Sequence, residues 1–227
     1  MSILILDTET ASLKGGVLDL AVIEVDEDLN VLNTIESLID PQCPIAPAAQ
    51  AVHGISSAMV ADAPTMAEFI TERGNPFAVE PLYLFGHNVQ FDIRALAAEN
   101  VLPIPYTKIC TLRMARNLWP DLKEGEENHK LGTLAVMFGL EIGTAHRAMG
   151  DAITCLNLLR YIADFSGVGS FKELCDLGRR PLSLQTRITF GKHKGTTLEK
   201  LPMDYVRWMR NQPDMDQDLI AALAVRK

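Results

Sequence analysis

Residues 3–13 read "ILILDTETASL", an apolar run that ends in two carboxylates, Asp7 and Glu9, with only Thr8 between them. The aliphatic run predicts a strand bound for a protein core. Along a strand the side chains at i and i+2 lie on one face, about 6.5–7 Å apart. Asp7 and Glu9 therefore offer two hard oxygen donors to one point at a strand end. A lone D-x-E is equally an ordinary strand end turning into a polar loop, and what joins it decides between the two.

Two further β-branched runs follow, "VLDLAVIEV" at 17–25 and "VLNTIESLI" at 31–39, separated by Gly15-Gly16 and by Asp26-Glu27-Asp28. With the first run they predict a three-stranded antiparallel meander. A Pro-rich loop at 40–56 leads to a helical pattern near 64–73, a strand at 82–86 and a helix over about 90–99. A short strand at 107–110 precedes helices near 111–118, 130–138 and 147–165. Strands first and then alternating strands and helices imply an α/β fold, a mixed sheet with helices on its faces. "SGVGS" at 166–170 reads as a linker, because glycine and serine add conformational freedom and bury little. The expected division is a main domain over 1–166, a linker over 167–185 and a small module over 186–227. That module should hold a strand, a Gly-flanked basic turn and an amphipathic helix.

The 227 residues are 48% hydrophobic, enough for one substantial domain and an appendage. Residues 1–167 carry 10 Lys and Arg against 22 Asp and Glu, whereas residues 168–227 carry 11 against 7. An acidic body argues against sequence-blind phosphate binding over its whole surface, but it does not exclude an acidic cleft neutralised by metal ions. Cys43, Cys110, Cys155 and Cys175 match neither a zinc spacing nor a disulfide framework and are expected to be reduced and structural. With no basic n-region at the start and no run of about 18 apolar residues, a soluble cytoplasmic protein that does not enter a membrane is expected.

Three more groups carry chemistry. Asp92 in "GHNVQFD" opens a helix after the fourth strand, where it could simply face the helix dipole. In "HRAMGD", His146 sits in a loop and Asp151 near the start of the last long helix of the main domain. If these ends converge with Asp7 and Glu9, four carboxylates share one pocket. Their mutual repulsion would force protonation unless two divalent cations cancelled the charge. Oxygen-only ligation points to Mg²⁺ or Mn²⁺ and away from zinc. Two such ions stabilise the attacking and leaving oxygens of a phosphodiester displacement. His146 would take the proton of the attacking water, work suited to an imidazole.

"DTET", "HNVQFD" and "HRAMGD" together resemble the three exonuclease motifs of the DEDDh superfamily, in matching order across residues 1–165. The C-terminal "FGKHKGTTLEKLPMDYVRWM" is similar to the tail module of exonuclease X-like proteins. The resemblance implies a ribonuclease H-like fold and stepwise 3′-to-5′ removal of nucleotides. It implies that Asp7, Glu9, Asp92 and Asp151 hold two metals, with His146 as general base. By the same resemblance Thr8 and Thr10 would hold the terminal nucleotide, and Ala49, Val52, His53 and Phe91 would line the pocket for its base and sugar. His53 could instead be a packed loop histidine. The chain has Ala11-Ser12 where many members have Thr-Gly, which should shift that loop slightly. Leu13 lies where the family places an apolar residue against the terminal base, as a wedge or simply as loop packing. Asn88 would contact substrate or fix the loop geometry. Asp19, a lone charge in an apolar strand, would either orient a site residue or face solvent.

Lys192 and Lys194, between Gly191 and Gly195, suggest a phosphate cradle in the basic tail, with a solvated or self-associating surface as the bland reading. The expected activity is hydrolysis at single-stranded or frayed DNA 3′ ends in repair or end processing. RNA as substrate, a polymerase proofreading role and a non-catalytic nucleic-acid-binding module are the alternatives. A homodimer is compatible with this reading.

Overall fold

The computed structural model describes residues 1–103, 105–122, 128–212 and 215–226. Among these, β1 (Ser2–Thr10), β2 (Val17–Val25), β3 (Val31–Leu38), β4 (Leu82–Gly86) and β5 (Thr107–Cys110) form one sheet in the order β3-β2-β1-β4-β5. The meander is present: β1 pairs antiparallel with β2, and β2 with β3. β4 and β5 are added in parallel. β1 is central because it can be buried on both faces, whereas β3, mostly exposed, lies at the edge.

The helices are α1 (Pro47–His53), α2 (Ser57–Val60), α3 (Met66–Arg73), α4 (Gln90–Ala98), α5 (Thr111–Leu118), α6 (Leu131–Met137), α7 (Ala148–Ser166), α8 (Phe171–Arg179), α9 (Met203–Arg210) and α10 (Gln217–Ala224). No helix among the described residues is long and apolar enough to cross a membrane. Alternation along β1 sorts its side chains. Ile3 and Ile5 join a core with Leu134 of α6, Leu158 and Ile162 of α7 and Leu174 of α8. Leu4 and Leu6 join the opposite core with Phe69 of α3 and Ile93 and Leu96 of α4. The same parity carried onward turns Asp7 and Glu9 toward α7, and Thr8 and Thr10 toward α4.

Three expectations need correction. Within the Pro-rich loop, residues 47–53 are helical: Pro47 stands at the start of α1, where a missing N–H costs nothing, and Gly54 closes it at φ 72°. The expected linker over 167–185 contains α8, packed into the first core through Leu174, Cys175 and Leu177. Gly167, at φ 62°, ends α7, and the Ser170 hydroxyl accepts the Glu173 N–H to start α8. Glycine and serine serve there as caps of a tight helix–helix turn. The tail strand reduces to an isolated bridge between Arg187 and Thr197. Around it Leu182, Ile188, Leu198, Leu201, Val206, Met209 and Leu223 form a separate small core. The tail docks on the body through Arg113–Asp218 (2.9 Å) and Arg116–Asp216 (2.7 Å).

Candidate active site

The site lies where β1 runs out, beside the start of α4 and the start of α7. Asp92 stands in the first turn of α4 and is buried. Its Oδ1 accepts both the Thr8 N–H (2.9 Å) and the Thr8 hydroxyl (2.8 Å). Thr8 lies between Asp7 and Glu9, so these two bonds tie α4 to the strand that carries the other acids. Thr8, expected to hold the nucleotide, gives both its donors to Asp92 and so braces that carboxylate.

The loop before α7 is laid tightly on that helix. A Cβ on Gly150 would come within 2.0 Å of the Thr144 carbonyl oxygen, and one on Gly143 within 2.4 Å of Gly150, so only glycines permit this approach. The Gly143 N–H donates to the Thr154 hydroxyl (3.1 Å), and the His146 N–H donates to Asp151 Oδ2 (3.1 Å). His146 takes the left-handed backbone conformation, φ 58°, and remains exposed. One donor atom each from Glu9, His146 and Asp151 lie within 4.8 Å of one another.

Arg147, which no sequence motif singles out, completes this loop. Arg147 Nε donates to Asp19 Oδ2 at 2.8 Å, and the Ala148 N–H approaches the same oxygen at 3.4 Å. Asp19 is 0% exposed and pairs across the sheet with Glu9, which excludes its solvent-facing reading. A charge in the middle of "VLDLAVIEV" was the available signal, but its partner lies 128 residues away.

The crowding is visible in the acids themselves. Burial, then the charges of Asp92, Asp151, Glu9 and Asp19, holds Asp7 well above the ordinary carboxylate range. Burial, then Asp151, Asp19 and Asp92, pushes Glu9 to about 7, with Arg147 opposing. Burial also lifts Asp92 to about 7 against its bonds from Thr8. Asp151 is raised by burial and eased by the His146 N–H. Four acids that resist ionising together, with an imidazole beside two of them, fit a divalent-cation site.

Next to them opens a mainly apolar cavity of about 710 Å³, lined by Glu9, Thr10, Leu13, Ala49, Val52, His53 and Phe91 among others. The predicted pocket residues are thus together, although Ala49 and Val52 come from the unforeseen α1. Leu13 is 89% exposed at this cavity, which rules out loop packing as its role. The Thr10 hydroxyl donates to the Ser12 carbonyl (2.8 Å), bracing the Ala11-Ser12 turn. His53 is both wall and strut: its Nδ1 accepts the Ile55 N–H at 3.0 Å, and burial lowers its pKa. Asn88 does not reach this cavity. It takes φ 66° at the corner between β4 and α4, where its carbonyl accepts the Phe91 N–H. Lys192 and Lys194 belong to the tail turn.

A family model described as "Exonuclease" matches residues 4–159. A second, described as "Putative quorum-sensing-regulated virulence factor", matches residues 182–217 of the tail. Exodeoxyribonuclease 10 of Escherichia coli strain K12 is 36% identical over 217 residues, covering 92% of this chain and 91% of that protein. The DNA polymerase III subunit epsilon of Treponema pallidum is 29% identical over 159 residues, covering 67% of this chain and 72% of that protein. A solved structure of exonuclease X in complex with 5′ overhanging duplex DNA superposes with a TM-score of 0.61 at 32% identity, covering 78% of this chain and 99% of that one. With three acidic motifs gathered on a mixed sheet, a family model over residues 4–159 and a relative matched over 92% of its length, the chain belongs to the DEDDh-type exonuclease family, whose members depend on divalent metal ions.

Proposed function

We propose that this protein is a 3′-to-5′ exodeoxyribonuclease that shortens DNA from its 3′ ends, acting in the cytoplasm in repair or end processing. The observation that carries this reading is the convergence of Glu9, His146 and Asp151 within 4.8 Å, with Asp92 tied to the strand between Asp7 and Glu9. Asp7, Glu9, Asp92 and Asp151 would hold two divalent cations, Mg²⁺ or Mn²⁺. When bound, such a pair offsets the four carboxylate charges and stabilises the attacking and leaving oxygens of the displacement.

The chain's own residues do the rest. The imidazole of His146, exposed on its braced loop, takes a proton from the attacking water. The water oxygen bonds to phosphorus as the bond to the 3′ oxygen breaks, and that oxygen takes up a proton from solvent. A nucleoside 5′-monophosphate leaves, and the shortened strand keeps a 3′-hydroxyl. The apolar cavity seats the terminal base and sugar against Phe91, Val52 and His53. Leu13, at its rim, is placed to wedge the last base away from its neighbour. The relative solved with 5′ overhanging duplex DNA favours a duplex end as one substrate form.

His146→Ala tests the assignment. Hydrolysis of end-labelled single strands should fall by about 10²–10⁴-fold, with the melting temperature nearly unchanged. Activity retained in this variant would remove His146 from the mechanism.

A further inference from the structure

The tail bears a contiguous group of aromatic and cationic side chains that the active site does not use. The rings of Tyr205 and Trp208 stack with centroids 5.0 Å apart and an interplanar angle of 27°. His193 meets Tyr205 edge-on at 4.6 Å, and Lys192 Nζ lies 5.7 Å from the centroid of the same ring. Gly191, at φ 66°, allows this seating, because a Cβ there would come within 2.3 Å of the Tyr205 hydroxyl. Tyr205 is buried at the edge of the tail core, whereas Trp208 is 44% exposed and Lys192 is exposed. An exposed indole backed by a second ring, with an ammonium group alongside, exceeds what closing the small core requires.

Charge points to the occupant. Two of the tail's acids, Asp216 and Asp218, are turned inward onto Arg116 and Arg113 of the body. Docking removes two negative charges from a segment, residues 182–227, that carries 8 basic residues against 5 acidic ones, while one of its cations, Arg187, pairs with Asp121 of the body. Single-stranded nucleic acid is bound by this combination, with bases stacked on aromatic faces and phosphates on cations.

We propose that Lys192, His193, Tyr205 and Trp208 form a second binding platform for single-stranded DNA, with a base stacked on Trp208 and a phosphate on Lys192. The proposal rests on the exonuclease reading, which makes a DNA strand the molecule at hand. The platform holds the strand at a point apart from the cut.

The full-length chain in EDTA is the direct test, since without cations the acidic pole repels phosphate and residual affinity reports the tail. Wild type should bind an oligothymidylate of about 20 nucleotides with a measurable salt slope. Trp208→Ala should weaken that affinity by about 5- to 100-fold, and Trp208→Phe should largely restore it. Lys192→Gln should make the salt slope shallower by about 0.7, one phosphate's worth on a single strand. In Mg²⁺, hydrolysis of a strand of about 5 nucleotides should be the same in all of these variants and in wild type. Absent binding in EDTA, or Trp208→Ala binding as wild type does, overturns the platform. So does a Trp208→Ala effect confined to self-association. Failure of the exonuclease reading would show separately, as no hydrolysis of the short strand in Mg²⁺.

Discussion

The acidic pole at the end of β1 and the basic tail are built on opposite terms. At the pole the fold gathers groups that repel one another, and each of Asp7, Glu9, Asp92 and Asp151 sits above its ordinary pKa. Braces from distant parts of the chain hold them there, among them Thr8 on Asp92 and Arg147 on Asp19. In the tail, apolar residues fill a core of their own and acidic residues pair with arginines of the body. Packing alone accounts for most of the tail and for almost none of the pole. An arrangement that costs stability needs a function to explain it, whereas a basic, aromatic surface needs a binding experiment.

This contrast is broken most sharply at the pole. Asp92→Asn keeps an oxygen for Thr8 while removing one charge. Hydrolysis should fall about a thousandfold or more, because several kcal/mol of charge stabilisation are lost. The melting temperature in EDTA should rise in the same variant, as repulsion is relieved. Initial rates on end-labelled DNA and thermal melts check both halves, and a fall in both would mark Asp92 as structural.

Proton linkage gives the next largest effect. Glu9 and Asp92 reach about 7 in the fold, against ordinary values of 4.5 and 3.8. Their folded pKa values are raised, so the stability they contribute is fully present below about pH 4 and is lost as pH rises through 7. Melting temperatures in EDTA should therefore fall between about pH 5 and pH 8, with a shallower fall in Asp92→Asn. Excess divalent cation at the higher pH should raise them again by mass action. A melting temperature indifferent to pH and to cation would mean that the pole is not strained.

Arg147 sharpens the link between brace and loop. Arg147→Gln leaves Asp19 buried without its partner, and with Arg147 itself about one-third exposed the cost should be about 1–3 kcal/mol. It should also lower kcat by about 10- to 100-fold through misplacement of His146. Introduced into His146→Ala, the same change should slow the reaction no further, since both act through one imidazole. Additive losses would show that Arg147 works elsewhere. Smallest is Leu13→Ala, expected to slow duplex ends a few-fold and single strands not at all, as unstacking a step costs a few kcal/mol of which one side chain offsets part.

Much of the pole was legible because its signals are local. The i, i+2 carboxylates, the acid opening a helix and the His-to-Asp spacing each follow from one short stretch, and strand alternation places them. The braces were not legible: Thr8 meets Asp92 across 84 residues, and Arg147 meets Asp19 across 128. α1 and α8 escaped for another reason. Pro47, Gly54, Gly167 and Ser170 are the residues of loops and linkers, and they are also those of helix caps, which only packing distinguishes. In the tail the basic turn was visible, whereas the stacking of Tyr205 on Trp208 depends on how α9 meets that turn.

Four gathered acids and one histidine are proposed to make a cation-dependent hydrolytic centre working from the 3′ end. Digestion of 5′-labelled single-stranded DNA by the wild-type chain, with Mg²⁺ or with EDTA, tests it most directly. A ladder shortening from the 3′ end and release of nucleoside 5′-monophosphates are expected in Mg²⁺, and an intact strand in EDTA. Equal digestion after the cations are removed, or products ending in a 3′-phosphate, would contradict it.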